Sequence, residues 1–140
     1  MISETFLRNH DERTVNGRRV KQVILVRADL NMQPGKLAAQ VAHAAMRNLC
    51  EKVNGKSVPY MDEAEEAWYH GSFRKIVLAV KDEAELRRYM TQASGAGLRV
   101  ETVVDNGDTV FNGVKTLTCI AIGPNFDDEI NPITSRLKPL

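Results

Sequence analysis

Several features that would narrow the function are scarce in this sequence. The two cysteines, Cys50 and Cys119, lie far apart and outside any Cys-x-x-Cys pattern, so they offer neither a disulfide framework nor a redox pair. They suit a reducing compartment, where we expect both to pack as small apolar side chains. The three histidines show no metal-ligand spacing. We therefore expect no metal ion.

Long apolar runs and a strong net charge are also absent. No stretch approaches the roughly 18 apolar residues that a membrane-spanning helix needs. The 19 basic and 18 acidic residues give a formal net charge of +1, so any basic surface must be local. Residues 1–19 lack an apolar run followed by a small-residue cleavage site, and we interpret them as a polar arm instead of a signal peptide. We expect a soluble, cytoplasmic protein without membrane contacts.

The order of apolar segments predicts a single α/β domain over residues 20–140. A chain of this length can bury one hydrophobic core. Residues 21–27 form an almost continuous apolar run, as expected of a central strand that is covered on both faces. Alternation with helices predicts a three-layer α-β-α sandwich around a mixed four-stranded sheet. The other predicted strands span 75–80, 98–104 and 116–122, and the predicted helices span 34 to about 53, 61–70, 82–94 and a short turn at 127–130.

The helix that follows the first strand is the most informative segment. Four polar side chains occur at i, i+4, i+7 and i+11 and therefore share one face, while small and aliphatic residues between them suit packing on a sheet. A lysine at a helix N-terminus favours an anion, although the glycine spacing of a phosphate-binding P-loop is missing. An ordinary polar helix edge is the alternative for each residue alone. The four residues are Lys36, Gln40, His43 and Arg47.

The connection between the last two predicted strands is a second candidate. Residues 105–109, Asp-Asn-Gly-Asp-Thr, are typical of a turn. The loop nevertheless continues to Val114, longer than a plain hairpin needs, and long loops often carry function. Thr116 and Thr118 open the final strand, where threonine is common. We interpret the acidic residues of the helix at 61–70 as a solvated face; they are Asp62, Glu63, Glu65 and Glu66.

Several motifs in the same order resemble the type 2 peptidyl-tRNA hydrolases, the archaeal and eukaryotic-type family. Gly35-Lys-Leu-Ala-Ala-Gln40 with His43-Ala44 is similar to the start of the family's first helix. Asp105-x-Gly107-x-Thr109 resembles its loop motif, and Thr118-Cys-Ile-Ala-Ile-Gly-Pro124 resembles its last strand. The resemblance extends from Lys21 to the C-terminus.

This resemblance implies an aminoacyl-tRNA hydrolase that cleaves the ester between a peptidyl or N-blocked aminoacyl group and tRNA, with peptidyl-tRNA as its partner and no cofactor. Asp105 would position or deprotonate a water, and Lys36 would stabilise negative charge. His43 would hold the lysine–aspartate geometry or relay a proton. The implied catalytic residues are Lys36, Asp105, Thr109, Thr118 and His43. The implied substrate-binding residues are Gly35, Gln40, Arg47 and Gly107.

The loop departs from the family pattern in ways that bear on tRNA binding. Asp108 stands where the family has an arginine, and Val110 where it has a glutamine. An anion near a polyanionic substrate should weaken contacts to the RNA backbone. Two alternatives therefore stay open: a catalytically weak tRNA- or ribosome-binding module on the same fold, and a hydrolase of another small ester or amide. The sequence does not decide between a monomer and a homodimer.

Overall fold

A computed structural model of the chain describes residues 12–140, so residues 1–11 of the predicted polar arm lie outside the described residues. The first strand is buried over residues 20–26, which confirms it as an interior strand. The strands in chain order are β1 (Val20–Arg27), β2 (Cys50–Val53), β3 (Lys56–Pro59), β4 (Lys75–Val80), β5 (Val100–Asp105) and β6 (Thr116–Phe126). The helices are α1 (Pro34–Arg47), α2 (Glu63–His70), α3 (Glu83–Gly95) and α4 (Asp127–Thr134).

Four strands form one mixed sheet in the order β4-β1-β6-β5. Strand β4 runs parallel to β1, whereas β6 runs antiparallel to both β1 and β5. The C-terminal segment covers the outer edge of β4, because the amide of Ala79 donates to the carbonyl of Lys138 at 2.9 Å. This arrangement confirms the predicted mixed four-stranded sheet and leaves β5 as the other edge strand.

Helices cover both faces of this sheet and confirm the predicted three-layer architecture. Alternate residues of a strand point to opposite faces. Ile24 of β1 therefore packs with Ala44 of α1, while the neighbouring Val23 packs with Leu86 of α3 and Ile130 of α4 on the other face. Helix α2 lies on the α1 side.

The first helix ends earlier than the predicted boundary near residue 53, and that prediction is wrong. Asn48, at the C-terminal end of α1, is fully buried and its side-chain amide donates to the carbonyl of Gly123. The chain then forms the β2–β3 hairpin through Asn54 and Gly55, whose φ angles are +51° and +77°. Positive φ at both central residues is what a two-residue hairpin turn needs, and Asn-Gly is its usual sequence.

The last strand and last helix are both longer than predicted. Strand β6 continues to Phe126 instead of ending near residue 122, and α4 continues to Thr134 through Pro132. Pro132 is the sixth residue of α4 and has no N–H to donate to the carbonyl of Asp128, and the helix ends two residues later.

One member of the acidic run on α2 is buried, so the prediction of a uniformly solvated face is wrong. Glu65 is 3% exposed, and its nearest cation is Arg99, whose Nη1 lies 3.5 Å from the carboxylate. Burial raises the pKa of Glu65 to about 7, with a further increase from the neighbouring Asp62. Folding therefore favours the neutral, protonated form of the Glu65 carboxyl group.

We expect Glu65→Gln to stabilise the protein at alkaline pH. The stability that a neutral Glu65 allows is fully present below its ordinary pKa of 4.5 and is lost as the pH rises through about 7. The glutamine side chain of the variant is neutral at every pH. The free energy of unfolding of Glu65→Gln, relative to that of the wild-type protein, should therefore grow by about 1–3 kcal/mol between pH 5 and pH 8. Urea unfolding at the two pH values measures this difference.

Glu63→Gln is the matched control, because Glu63 is exposed on the same helix. It should change stability equally at both pH values. An advantage of Glu65→Gln that does not depend on pH would contradict the raised pKa.

Candidate active site

A cleft of about 710 Å³ lies beside α1, between the β2–β3 hairpin and the end of β5. All four residues of the polar stripe on α1 border it, as expected for side chains that share one helix face. From α1 the lining residues are Lys36, Gln40, His43, Met46 and Arg47. From the rest of the chain they are Cys50, Ser57, Val103, Val104, Asp105, Asn106, Asp108 and Thr109.

Asp105 lies at the centre of a hydrogen-bond cluster at one end of this cleft. Its Oδ1 accepts from Lys36 Nζ at 2.6 Å and from Gln40 Nε2 at 3.4 Å, and its Oδ2 accepts from the amide of Gly107 at 2.8 Å. The side chains of Lys36 and Asp105 are only 19% and 12% exposed. The Lys36 ammonium, followed by the Gly107 amide, holds the pKa of Asp105 below its ordinary value against the opposing effect of burial. Asp105 is therefore a carboxylate at neutral pH.

The loop after β5 folds back over α1 and brings a hydroxyl to the same lysine. Thr109 Oγ1 lies 3.3 Å from Lys36 Nζ. The fold-back depends on Gly107, which has a φ of +85°, and a Cβ there would lie 2.6 Å from the backbone N of Val114. Phe111, which sequence reasoning did not single out, places its ring centroid 5.8 Å from Lys36 Nζ, within range of a cation–π interaction.

Thr118 does not border the cleft, contrary to the expectation that it joins the other catalytic residues there. It is fully buried, and its hydroxyl donates to Gln40 Oε1 at 2.6 Å. The register between β5 and β6 shifts at this point, since Leu117 and Cys119 pair with consecutive residues of β5 and leave Thr118 as an extra residue. Thr118 therefore contacts Asp105 only indirectly, by fixing the Gln40 amide so that its Nε2 faces the carboxylate.

The remaining predicted site residues differ in position. His43 and Arg47 are exposed on the cleft wall, and among the described residues His43 forms no hydrogen bond with Lys36 or Asp105. His43 acts on Asp105 only through space, as the smallest of the influences that lower the pKa of that carboxylate. Gly35 is exposed at the start of α1 and does not line the cleft, and its contact with substrate stays a prediction.

The two cysteines are in different environments. Cys119 is buried, and burial raises the pKa of its thiol to about 11, so it packs as a small apolar side chain as predicted. Cys50 is exposed on β2 and borders the cleft, so the same prediction was wrong for it. The missed signal was Asn54-Gly55, which is the usual sequence of a two-residue hairpin turn.

Residues 12–140 contain no group of three or more histidine, cysteine or acidic residues arranged to hold a metal ion. In this part of the chain, no helix has the length and apolar character needed to cross a membrane.

Comparison with known proteins adds to this geometry. The model of the family "Peptidyl-tRNA hydrolase PTH2" matches residues 20–140. A relative from Sulfolobus acidocaldarius, named peptidyl-tRNA hydrolase, is 40% identical over 121 residues, covering 86% of this chain and 100% of that protein. Another from Haloquadratum walsbyi, with the same name, is 41% identical over 119 residues, covering 85% and 98%.

A solved structure supports the fold alone. A protein of unknown function from Agrobacterium tumefaciens aligns with a TM-score of 0.50 and 14% identity, covering 86% of this chain and 97% of that chain. The residues matched by the family model, 20–140, include every element that forms the cleft. This chain belongs to the peptidyl-tRNA hydrolase PTH2 family.

Proposed function

We propose that this protein hydrolyses the ester bond between a peptidyl or N-blocked aminoacyl group and the 3′-terminal ribose of tRNA, releasing free tRNA in the cytoplasm. The observation that carries the proposal is the Lys36–Asp105–Thr109 cluster in the cleft, in a chain of this family. Ester hydrolysis needs an oriented water, donors for the developing oxyanion and cations for RNA phosphates. The cleft offers groups for all three needs.

Asp105 orients the attacking water in this proposal. A carboxylate has about four lone-pair sites, and Lys36, Gln40 and Gly107 donate to three of them. The fourth accepts a hydrogen bond from the water. Because its pKa is lowered, Asp105 is a poor proton acceptor, and positioning of the water is favoured over its deprotonation.

Lys36 and Thr109 stabilise the charge that develops on the carbonyl oxygen. An ammonium has three donors, and Lys36 directs two of them to Asp105 and Thr109. The third is available to the oxyanion. Because Thr109 accepts from Lys36, its own hydroxyl proton is available to the same oxygen or to the neighbouring ribose. Such donors act strongly when they are held in place before the reaction.

The remaining residues position this cluster or bind substrate. Gln40 and Thr118 are positioning residues, since Thr118 holds the amide that donates to Asp105. His43 takes up the proton that the attacking water loses and passes it to the leaving ribose oxygen, and Arg47 binds substrate phosphate further along the same helix face. The cluster comes from one chain, so the reaction does not require a homodimer.

We expect Lys36→Ala and Asp105→Asn to lower kcat by about 10²–10³-fold, since each removes a charge that the transition state depends on. Release of the acyl group from N-acetyl-aminoacyl-tRNA measures the rate, and circular dichroism confirms that the variants fold. Lys81→Ala, an exposed lysine next to α3, is the control and should retain the wild-type rate. Wild-type rates in both folded site variants would contradict the proposed centre.

The wild-type protein should cleave N-acetyl-aminoacyl-tRNA and leave free aminoacyl-tRNA intact. Binding of tRNA without cleavage of either substrate would favour the alternative of a catalytically weak tRNA-binding module. That alternative arises because Asp108 stands where the family has an arginine. Cleavage of small esters but not of the blocked tRNA would favour the other alternative.

We expect Asp108→Arg to strengthen tRNA binding. Asp108 is exposed and borders the cleft. The substitution replaces an anion with a cation that can contact a phosphate, so the affinity for tRNA should rise at low salt. The slope of log K against log salt concentration should steepen by roughly 0.7 for one added phosphate contact. Fluorescence titration of deacylated tRNA over a salt series measures both quantities. An unchanged affinity would mean that the loop does not face the RNA backbone.

A further inference from the structure

The β2–β3 hairpin borders the cleft but has no part in the chemistry described so far. All eight of its residues are exposed, and it forms a two-stranded sheet of its own, apart from the main sheet. Cys50 and Ser57 line the cleft. The hairpin therefore extends the cleft wall beyond the end of α1, away from Asp105.

The two faces of this hairpin differ in their relation to the cleft. Residues paired across an antiparallel ladder share a face, and successive residues alternate. Lys52 pairs with Ser57, so it lies on the same face as the cleft-lining Ser57 and Cys50. Lys56 pairs with Val53 and lies on the opposite face. One lysine therefore faces the cleft side and the other faces away.

The cleft face of the hairpin continues a row of basic residues that begins on α1. Lys36, His43 and Arg47 border the cleft in order along the helix, and Lys52 follows on β2. Lys36 is paired with Asp105. Within residues 12–140, neither Arg47 nor Lys52 forms an ion pair, so both charges are available to an external anion.

The hairpin is attached firmly at its base. Arg99 donates to the carbonyl of Cys50 at 3.4 Å, and the amide of Tyr60 donates to the carbonyl of Leu49 at 3.2 Å. The amide of Leu49 in turn donates to Met46 at the end of α1. These contacts hold β2 against the last turn of α1, so the surface of the hairpin is formed before a ligand binds. Binding to a preformed surface has a smaller entropic cost than binding that must order the surface first.

We infer that the cleft face of the hairpin binds the phosphate backbone of the tRNA strand that leads to the ester, with Lys52 and Arg47 as its cations. The inference rests on the proposed function and adds a binding site at the end of the cleft opposite the chemistry. Phosphate is favoured as the ligand because the row ends in two unpaired cations, and phosphate contacts supply most of the affinity for nucleic acid. The ester lies near Asp105, so this surface meets nucleotides further along the strand.

The pair Lys52→Ala and Lys56→Ala tests the inference, because each removes one lysine from the same hairpin on opposite faces. Lys52→Ala should weaken binding of deacylated tRNA several-fold at low salt. It should also reduce the steepness of the plot of log K against log salt concentration by roughly 0.7. In N-acetyl-aminoacyl-tRNA cleavage it should raise KM by a similar factor and leave kcat unchanged. Lys56→Ala should behave as the wild-type protein in every measurement.

A short substrate separates binding to the hairpin from the reaction itself. N-acetyl-aminoacyl-adenosine lacks the distant phosphates, so Lys52→Ala and the wild-type protein should cleave it equally. A loss with this substrate would show that Lys52 contacts the acyl group or the reacting atoms and would overturn the inference. Equal losses of tRNA binding in the two lysine variants, or no loss in either, would also overturn it.

Binding of deacylated tRNA does not require catalysis. A wild-type protein that binds tRNA through Lys52 but cleaves no ester would contradict the proposed function and retain the hairpin site. A protein that cleaves the blocked tRNA with no difference between the two lysine variants would retain the function and exclude the hairpin site.

Discussion

The ion pair between Lys36 and Asp105 joins two segments that are 69 positions apart in the sequence. It connects the first turn of α1 to the end of β5, and thereby fixes one end of the cleft. Both side chains are largely withdrawn from water, and such a pair is stable only when further hydrogen bonds compensate the lost hydration. Gln40 and Gly107 provide them. The groups that stabilise the buried charges are thus the same groups that orient the carboxylate for chemistry.

This dependence explains an irregularity in the sheet. The register shift between β5 and β6 makes Thr118 an extra residue, so that it and Cys119 both contact α1. Thr118 donates to the side chain of Gln40, and Cys119 donates to the backbone carbonyl of Gln40 at 3.4 Å. Bulges are often found beside active sites, where they redirect a side chain. Here the bulge holds Gln40 at two points and so sets the direction of the amide that reaches Asp105.

The parts of the structure that the sequence predicted depend on local pattern. The apolar run of β1 and the spacing of Lys36 and Gln40 are set by strand and helix periodicity, and both were found as predicted. The burial of Thr118 depends on the register between strands, which the sequence alone does not reveal. The burial of Glu65 likewise depends on how α2 packs, because a helix rich in acidic residues usually exposes them. The Asn54-Gly55 turn is a local hairpin signal that directly follows the predicted end of the first helix near residue 53.

The charged residues around the cleft are divided between different elements of the fold. Asp108 belongs to the segment after β5, whereas Arg47 and Lys52 belong to α1 and the hairpin. A phosphate that contacts α1 and the hairpin therefore meets cations that belong to other elements than Asp108 does. A strand bound along α1 and the hairpin meets cations in sequence, although the chain has a net charge of only +1. In the proposed binding mode, Asp108 opposes tRNA binding at the loop without interrupting the row of cations on α1 and the hairpin.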